Sequence, residues 1–119
     1  MAIHNDLGNK GEELAVAYLI KKGYSILERN YRFRNSEIDI AATKYEVLFA
    51  VEVKTRSSYH LGNPTDFINK KKIQLLIYGM DNYIHEHDLD IEVRFDIISV
   101  LKDQKEYSIE HIEDAFLFF

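Results

Sequence analysis

Apolar residues recur along the chain with two different periods, and the switches between them mark the elements. Residues 6–22 carry Leu7, Leu14, Ala15, Tyr18 and Leu19 at helical spacing, with Asp6 placed to cap the start. Lys21 and Lys22 followed by Gly23 form a helix stop. "YSILERNYRF" (24–33) reads as a first strand. "SEIDIAAT" (36–43) and "EVLFAVEVKT" (46–55) alternate with period two and predict a hairpin turning around Lys44 and Tyr45. "SSYHLGNPT" (57–65) has the glycine and proline of a loop. Residues 70–86, capped by Asn69, predict a second helix with an apolar stripe of Ile73, Leu76, Ile77, Met80, Tyr83 and Ile84. "IEVRFDIISVL" (91–101) and "EYSIEHI" (106–112) are two more strands, and the apolar tail "DAFLFF" is expected to pack under the sheet or to meet a partner. Helix, three strands, helix, two strands predicts an α/β architecture, a mixed sheet flanked by helices. With no linker, repeat or low-complexity run, residues 1–119 read as one domain.

The hairpin breaks its own apolar pattern with charge. Strand side chains alternate between faces, so Ile38 and Ile40 are assigned to one face and Glu37, Asp39 and Ala41 to the other. On the second strand Val47, Phe49, Val51 and Val53 form an apolar face, opposite Leu48, Ala50, Glu52 and Lys54. If the two polar faces coincide, Asp39, Glu52 and Lys54 converge, with Ala41 and Ala50 leaving room beside them. Converging carboxylates repel and raise one another's pKa, so a lysine, a metal ion or solvent must offset them. Two carboxylates and a backbone carbonyl make a partial oxygen shell for Mg²⁺. The plainer alternative is a solvated sheet face carrying cross-strand ion pairs. At about 100° per residue, Glu12 falls at the edge of the first helix's apolar stripe, beside Leu19, while Glu13 points away. Lys70 and Lys72 flank the stripe of the second helix, and Lys71 points to solvent. Either flanking lysine can face the same cleft, or simply snorkel at the helix boundary.

Composition narrows the chemistry. At 46% hydrophobic and 13% aromatic residues the chain can bury a core. It has no cysteine, which removes disulfides, thiolate zinc sites and a cysteine nucleophile. His4, His60, His85, His87 and His111 are too scattered to suggest a histidine metal site. No run approaches the roughly 18 apolar residues of a membrane span, and the N-terminus lacks the basic start and apolar core of a signal peptide, so a cytoplasmic protein is expected. The net charge of −5 argues against non-specific binding of nucleic acid over the whole surface. It leaves room for a local basic patch, for which "KTR" (54–56) and "NKKK" (69–72) are the clusters.

Together, "GNKGEELAVAYL", "RNYRFRNSEIDIAA", "FAVEVKTRSSYHLGNP", "INKKKIQLL" and "VRFDIISV" resemble the YraN-like family of small bacterial proteins. That family is similar to archaeal Holliday junction resolvases, within the restriction-endonuclease-like PD-(D/E)XK superfamily. The resemblance covers about residues 8–100. It implies a restriction-endonuclease-like fold and a site in which Asp39 and Glu52 are metal-ligating carboxylates and the Val53 carbonyl is a further ligand. Lys54 would be the catalytic lysine, and Glu12 a metal or water contact. Arg56, Lys72 and Lys70 would contact nucleic acid, with Glu37 in support. The implied metal is Mg²⁺ or Mn²⁺, and the implied partner is nucleic acid, DNA foremost. A homodimer would follow by analogy with the resolvases. Ile38 stands where the superfamily's name motif has proline, and the acidic net charge departs from the broad basic face of a junction resolvase.

Three expectations follow. The first is a Mg²⁺-dependent nuclease, with branched DNA among its candidate substrates. The second is a catalytically silent nucleic-acid-binding or recombination accessory module. The third is an interaction domain using the charged sheet face and the apolar tail.

Overall fold

The computed structural model describes residues 5–57 and 68–118. The chain runs α1 (Asn5–Lys21), β1 (Ser25–Phe33), β2 (Ser36–Lys44), β3 (Val47–Ser57), α2 (Lys70–Glu86), β4 (Glu92–Asp103), β5 (Glu106–Ile112) and a terminal 3₁₀ turn, Ala115–Phe118. The five strands form one sheet in sequence order. β3 and β4 are parallel, with α2 in the connection between them, and the other three pairings are antiparallel. This is the expected α/β mixed sheet between helices, arranged as in restriction-endonuclease-like folds.

The two faces of the sheet are covered by different helices. α1 buries Ala15 and Leu19 against Ile40, Ala42, Phe49, Val51, Ile98 and Val100. α2 buries Leu76, Met80 and Tyr83 against Ile38, Ala41, Leu48 and Ala50 on the other face. At about 25 cal/mol per Å² of apolar surface removed from water, these two interfaces supply the main drive for folding. Ile77, assigned to the stripe of α2, is instead 42% exposed. The start of the tail packs down: Ala115 is fully buried beside Ile68 and Ile97, and Phe116 stacks on Phe95 with ring centroids 5.0 Å apart, while the side chains of residues 117–119 lie outside the described part.

Several local readings are corrected. Asp6 lies within the first turn of α1 rather than at its cap, where its carboxylate faces the positive end of the helix dipole. The β2–β3 turn is Tyr45–Glu46, both at positive φ, one residue later than expected. Ser57 belongs to β3, and the rest of the expected 57–65 loop lies outside the described residues. Ile38 and Ile40 do not share a face: Ile38 packs under α2 and Ile40 under α1. The cause is a break in the ladder, because β2 pairs with β3 only from Ile40↔Val51 to the turn, while its pairing with β1 continues through Ile38, Glu37 and Ser36. β2 therefore leaves β3 at Asp39. Ala41 and Ala50, paired directly across the strands, leave room for α2 and not for the polar site.

Two glycines set how closely the helices approach this break. A Cβ at Gly11 would overlap the Thr55 side chain, so α1 lies almost directly on β3 there. A Cβ at Gly79 would overlap Ser36 in the same way, which seats α2 on the start of β2. The buried Ser36 Oγ also donates to the Leu75 carbonyl of α2 at 2.6 Å.

Candidate active site

Where β2 parts from β3, the Asp39 side chain takes over a ladder position. Its Oδ2 accepts the Val53 N–H at 2.8 Å, in place of a backbone carbonyl. The N–H and C=O of one strand residue point to the same neighbour, so the Val53 carbonyl also faces the gap beside Asp39. Glu52, 6% exposed, points to the α2 side. Burial first, then hydrogen bonding to Glu52 and the charge of Glu52, push the Asp39 carboxyl up to about 9, with a smaller push from Glu12 and an opposing pull from the Val53 N–H. The shift favours the protonated form of Asp39.

The pair sits between two cavities. One, of about 600 Å³, opens on the α2 side and is lined by residues that include Asn35, Glu37, Asp39, Glu52, Val53, Lys54, Lys71 and Lys72. The other, of about 320 Å³, opens on the α1 side and includes Gly8, Asn9, Glu12, Asn30, Glu37, Asp39, Val53, Lys54 and Thr55. Glu37, Asp39, Val53 and Lys54 line both, so the two cavities share a wall at the break in the sheet.

Most residues expected at the site meet here. Glu12 reaches the α1-side cavity from the helix edge. It is held by Asn30 Nδ2 at 3.0 Å and by Arg29 at 3.4 Å, two partners that the strand pattern of β1 did not signal. Gly11, the residue before it, permits the close approach that brings it there. Glu37 is paired with Arg32 at 2.9 Å. Lys72 Nζ forms a 2.8 Å ion pair with Glu52 Oε2, so α2 brings a cation to that carboxylate. Lys71 is exposed, as expected, yet also lines the α2-side cavity, as do Asn69, Leu75 and Leu76. Lys70 is exposed at the start of α2 and lines neither cavity; Arg56, partly buried two residues beyond Lys54, also lies outside both linings.

The donor set fits a hard divalent cation in part. Two carboxylates and one carbonyl are oxygen donors suited to Mg²⁺ or Mn²⁺, which retain waters and take substrate oxygens for the remaining positions. Among the described residues no three His, Cys, Asp or Glu side chains are grouped to enclose a metal by themselves. Among the same residues, no helix is long and apolar enough to cross a membrane.

Comparison with known proteins agrees with this frame. The chain is 57% identical over 119 residues to a UPF0102 protein of Flavobacterium psychrophilum and 54% identical over 119 residues to one of Christiangramia forsetii, each match covering all of both chains. A UPF0102 protein of Phocaeicola vulgatus is 47% identical over 116 residues, which cover 98% of this chain and 96% of the relative. Residues 11–100, from Gly11 beside Thr55 to the buried Val100 of β4, match the sequence profile described as "Uncharacterised protein family UPF0102", and the chain belongs to that family.

Proposed function

We propose that the protein is a metal-dependent nuclease that hydrolyses phosphodiester bonds in nucleic acid, DNA foremost. The observation that carries this reading is that the Asp39 and Glu52 carboxyls line one open cavity together with Lys54 and Lys72, with Asp39 and Lys54 also lining a second. A fold gains nothing in stability from burying two carboxyls together, and such perturbed pairs concentrate at functional sites. Asp39, Glu52 and the Val53 carbonyl would hold Mg²⁺ or Mn²⁺. Bound there, the ion would supply Lewis-acid activation of water and of the scissile phosphate. Lys54, which lines both cavities, stands where it can steady charge developing on the phosphate. Glu12 orients water from the α1 side, with Arg29 and Asn30 fixing its carboxylate. Lys72 and Lys71 meet the strand's phosphates at the mouth of the α2-side cavity.

The test is calorimetric titration of Mg²⁺ and Mn²⁺ into wild type, Asp39→Asn and Glu52→Gln, followed by cleavage assays on single-stranded, duplex and branched DNA. Metal binding and cleavage that are lost in both variants, with folding intact, support the reading. Cleavage unchanged in both variants overturns it.

One observation favours a second reading, a catalytically silent nucleic-acid-binding module. Lys72 neutralises Glu52 without any ion. Nucleic acid bound equally well in chelator and in Mg²⁺, with no cleavage of any substrate, would select this reading.

A further inference from the structure

An aromatic pair lies close in sequence to residues that line the α2-side cavity. Phe33, at the end of β1, pairs with Ser36 across the β1–β2 turn and so faces α2. Its ring lies 5.2 Å from that of Tyr78, tilted by 44°. Tyr78 is 44% exposed and Phe33 is partly exposed. Further along the same β1–α2 seam, Tyr31 packs edge-on against Tyr83, and Tyr83 stacks on His87. That stretch centres on Tyr83, which is buried. The Phe33–Tyr78 pair differs because it opens to solvent beside the cavity: Asn35, two residues from Phe33, and Leu75, one helical turn before Tyr78, both line it. The Arg34 guanidinium sits 5.3 Å from the Phe33 ring centroid, and Arg34 holds a left-handed backbone conformation at φ 56°. An arginine there stores strain at a turn where glycine would hold none.

Aromatic faces flanked by cations are the elements of sequence-tolerant binding to unpaired strands. The spacing suits this. Lys71, in the cavity, and Tyr78 are seven residues apart on one side of α2, or on the order of 10 Å along the axis. At about 3.4 Å per stacked nucleotide, that is a run of about three nucleotides.

We infer that Phe33 and Tyr78 form a stacking platform for an unpaired base lying about three nucleotides from the phosphate met by Lys71 in the cavity of the Asp39–Glu52 pair, so that the strand acted on is single-stranded or splayed. The inference rests on the proposed function for where the phosphate sits. A base inside a blunt duplex presents no free face to the platform, so a duplex gains only the phosphate contacts of Arg34, Lys71 and Lys72.

The test uses a short single strand carrying 2-aminopurine, and a blunt duplex of the same sequence. Each is titrated with wild type in chelator and with Asp39→Asn in Mg²⁺, so that no cleavage intervenes. The single strand should bind at least tenfold more tightly than the duplex, with its fluorescence quenched by stacking. Tyr78→Ala should weaken single-strand binding by about 5- to 100-fold and remove the quench, while duplex affinity holds. Tyr78→Trp, which keeps an aromatic face, should retain both. Equal or tighter duplex binding, or an unchanged quench in Tyr78→Ala, overturns the inference. Calorimetry separates it from the metal site: a Tyr78-dependent quench without Mg²⁺ binding keeps the platform and sinks the hydrolase, whereas Mg²⁺ binding without a quench does the reverse.

Discussion

Lys72 Nζ lies 2.8 Å from Glu52 Oε2, bridging α2 and β3 across the mouth of the larger cavity. The lysine is 42% exposed and the glutamate 6%. It offsets the charge of a carboxylate that shares its cavity with Asp39. A cation bound by Asp39 and Glu52 would compete with that ammonium. Lys72→Met, which keeps most of the aliphatic stem, should therefore act in opposite directions on stability and on metal affinity. Without metal it should cost about 1–2 kcal/mol, below the roughly 3–5 kcal/mol of a fully buried pair because the lysine reaches solvent. With Mg²⁺ in excess the loss should be largely recovered, and the Kd for Mg²⁺ should fall several-fold. Thermal denaturation with and without Mg²⁺ reads both effects. A loss of stability that Mg²⁺ does not restore would separate Lys72 from the metal site.

Asp39 gives the metal-free protein a pH dependence of definite sign. Its folded-state pKa of about 9 lies above the ordinary 3.8, so the folded state binds more protons than the unfolded state between those values. The stabilisation is complete below about pH 4 and is lost as pH rises through 9, with a slope of at most about 1.4 kcal/mol per pH unit. Asp39→Asn should remove this component: the stability difference between variant and wild type should move in the variant's favour from pH 5 to pH 9. Denaturant melts at a series of pH values check it, and a parallel pair of curves would contradict it. The same proton must leave when a cation binds. Mg²⁺ titrated at pH 7 in buffers of different ionisation enthalpy should therefore release about one proton per ion.

The order of elements was legible because apolar period follows burial: α1 and α2 each show a stripe, and β3 alternates cleanly between Phe49, Val51 and Val53 on one face and Leu48, Ala50 and Glu52 on the other. The convergence of Asp39 and Glu52 followed from that alternation. The faces of Ile38 and Ile40 did not, because alternation assumes an unbroken ladder. The ladder ends where a side-chain oxygen of Asp39 replaces a backbone acceptor for Val53, and strand periodicity carries no signal for such an exchange. The reach of Lys72 to Glu52 depends on the seating of α2, which Gly79 and Ser36 determine. Gly79 reads in the sequence only as a weak helix residue.

Gly8 and Gly11 offer one substitution with two opposite outcomes on a single helix. Both lie in α1. Alanine is intrinsically better than glycine in a helix by up to about 1 kcal/mol. Among the described residues nothing lies near a Cβ at Gly8, so Gly8→Ala should stabilise by about 0.5 kcal/mol. At Gly11 the new methyl would overlap Thr55, so Gly11→Ala should destabilise by about 1–3 kcal/mol. It should also lever Glu12 away from the smaller cavity. Thr55→Ala should recover part of the loss in the double variant. Urea melts of the four proteins decide it, and a stabilising Gly11→Ala would mean that α1 does not lie against β3 as described.

Away from the cavities, Asp96 supports a buried polar chain that binds the sheet to α1. Its side chain is fully buried; Oδ2 meets His111 Nε2 at 2.8 Å and Oδ1 accepts the Asp114 N–H at 3.1 Å. His111 Nδ1 in turn meets the Tyr18 hydroxyl at 3.0 Å, 93 residues away in sequence. The three groups come from β4, β5 and α1, so the chain ties α1 to the β4–β5 edge of the sheet. Removing the middle member leaves the buried Asp96 carboxyl without its ring partner, whereas removing the outer hydroxyl costs only one neutral hydrogen bond at His111 Nδ1. His111→Ala should thus cost about 2–4 kcal/mol, and Tyr18→Phe about 1 kcal/mol. Neither should alter Mg²⁺ affinity, since none of the three lines the cavities at Asp39. A Tyr18→Phe loss as large as that of His111→Ala would place the weight of the chain on the hydroxyl instead. A shift in metal affinity in either variant would show that this network and the carboxyl pair act as one unit.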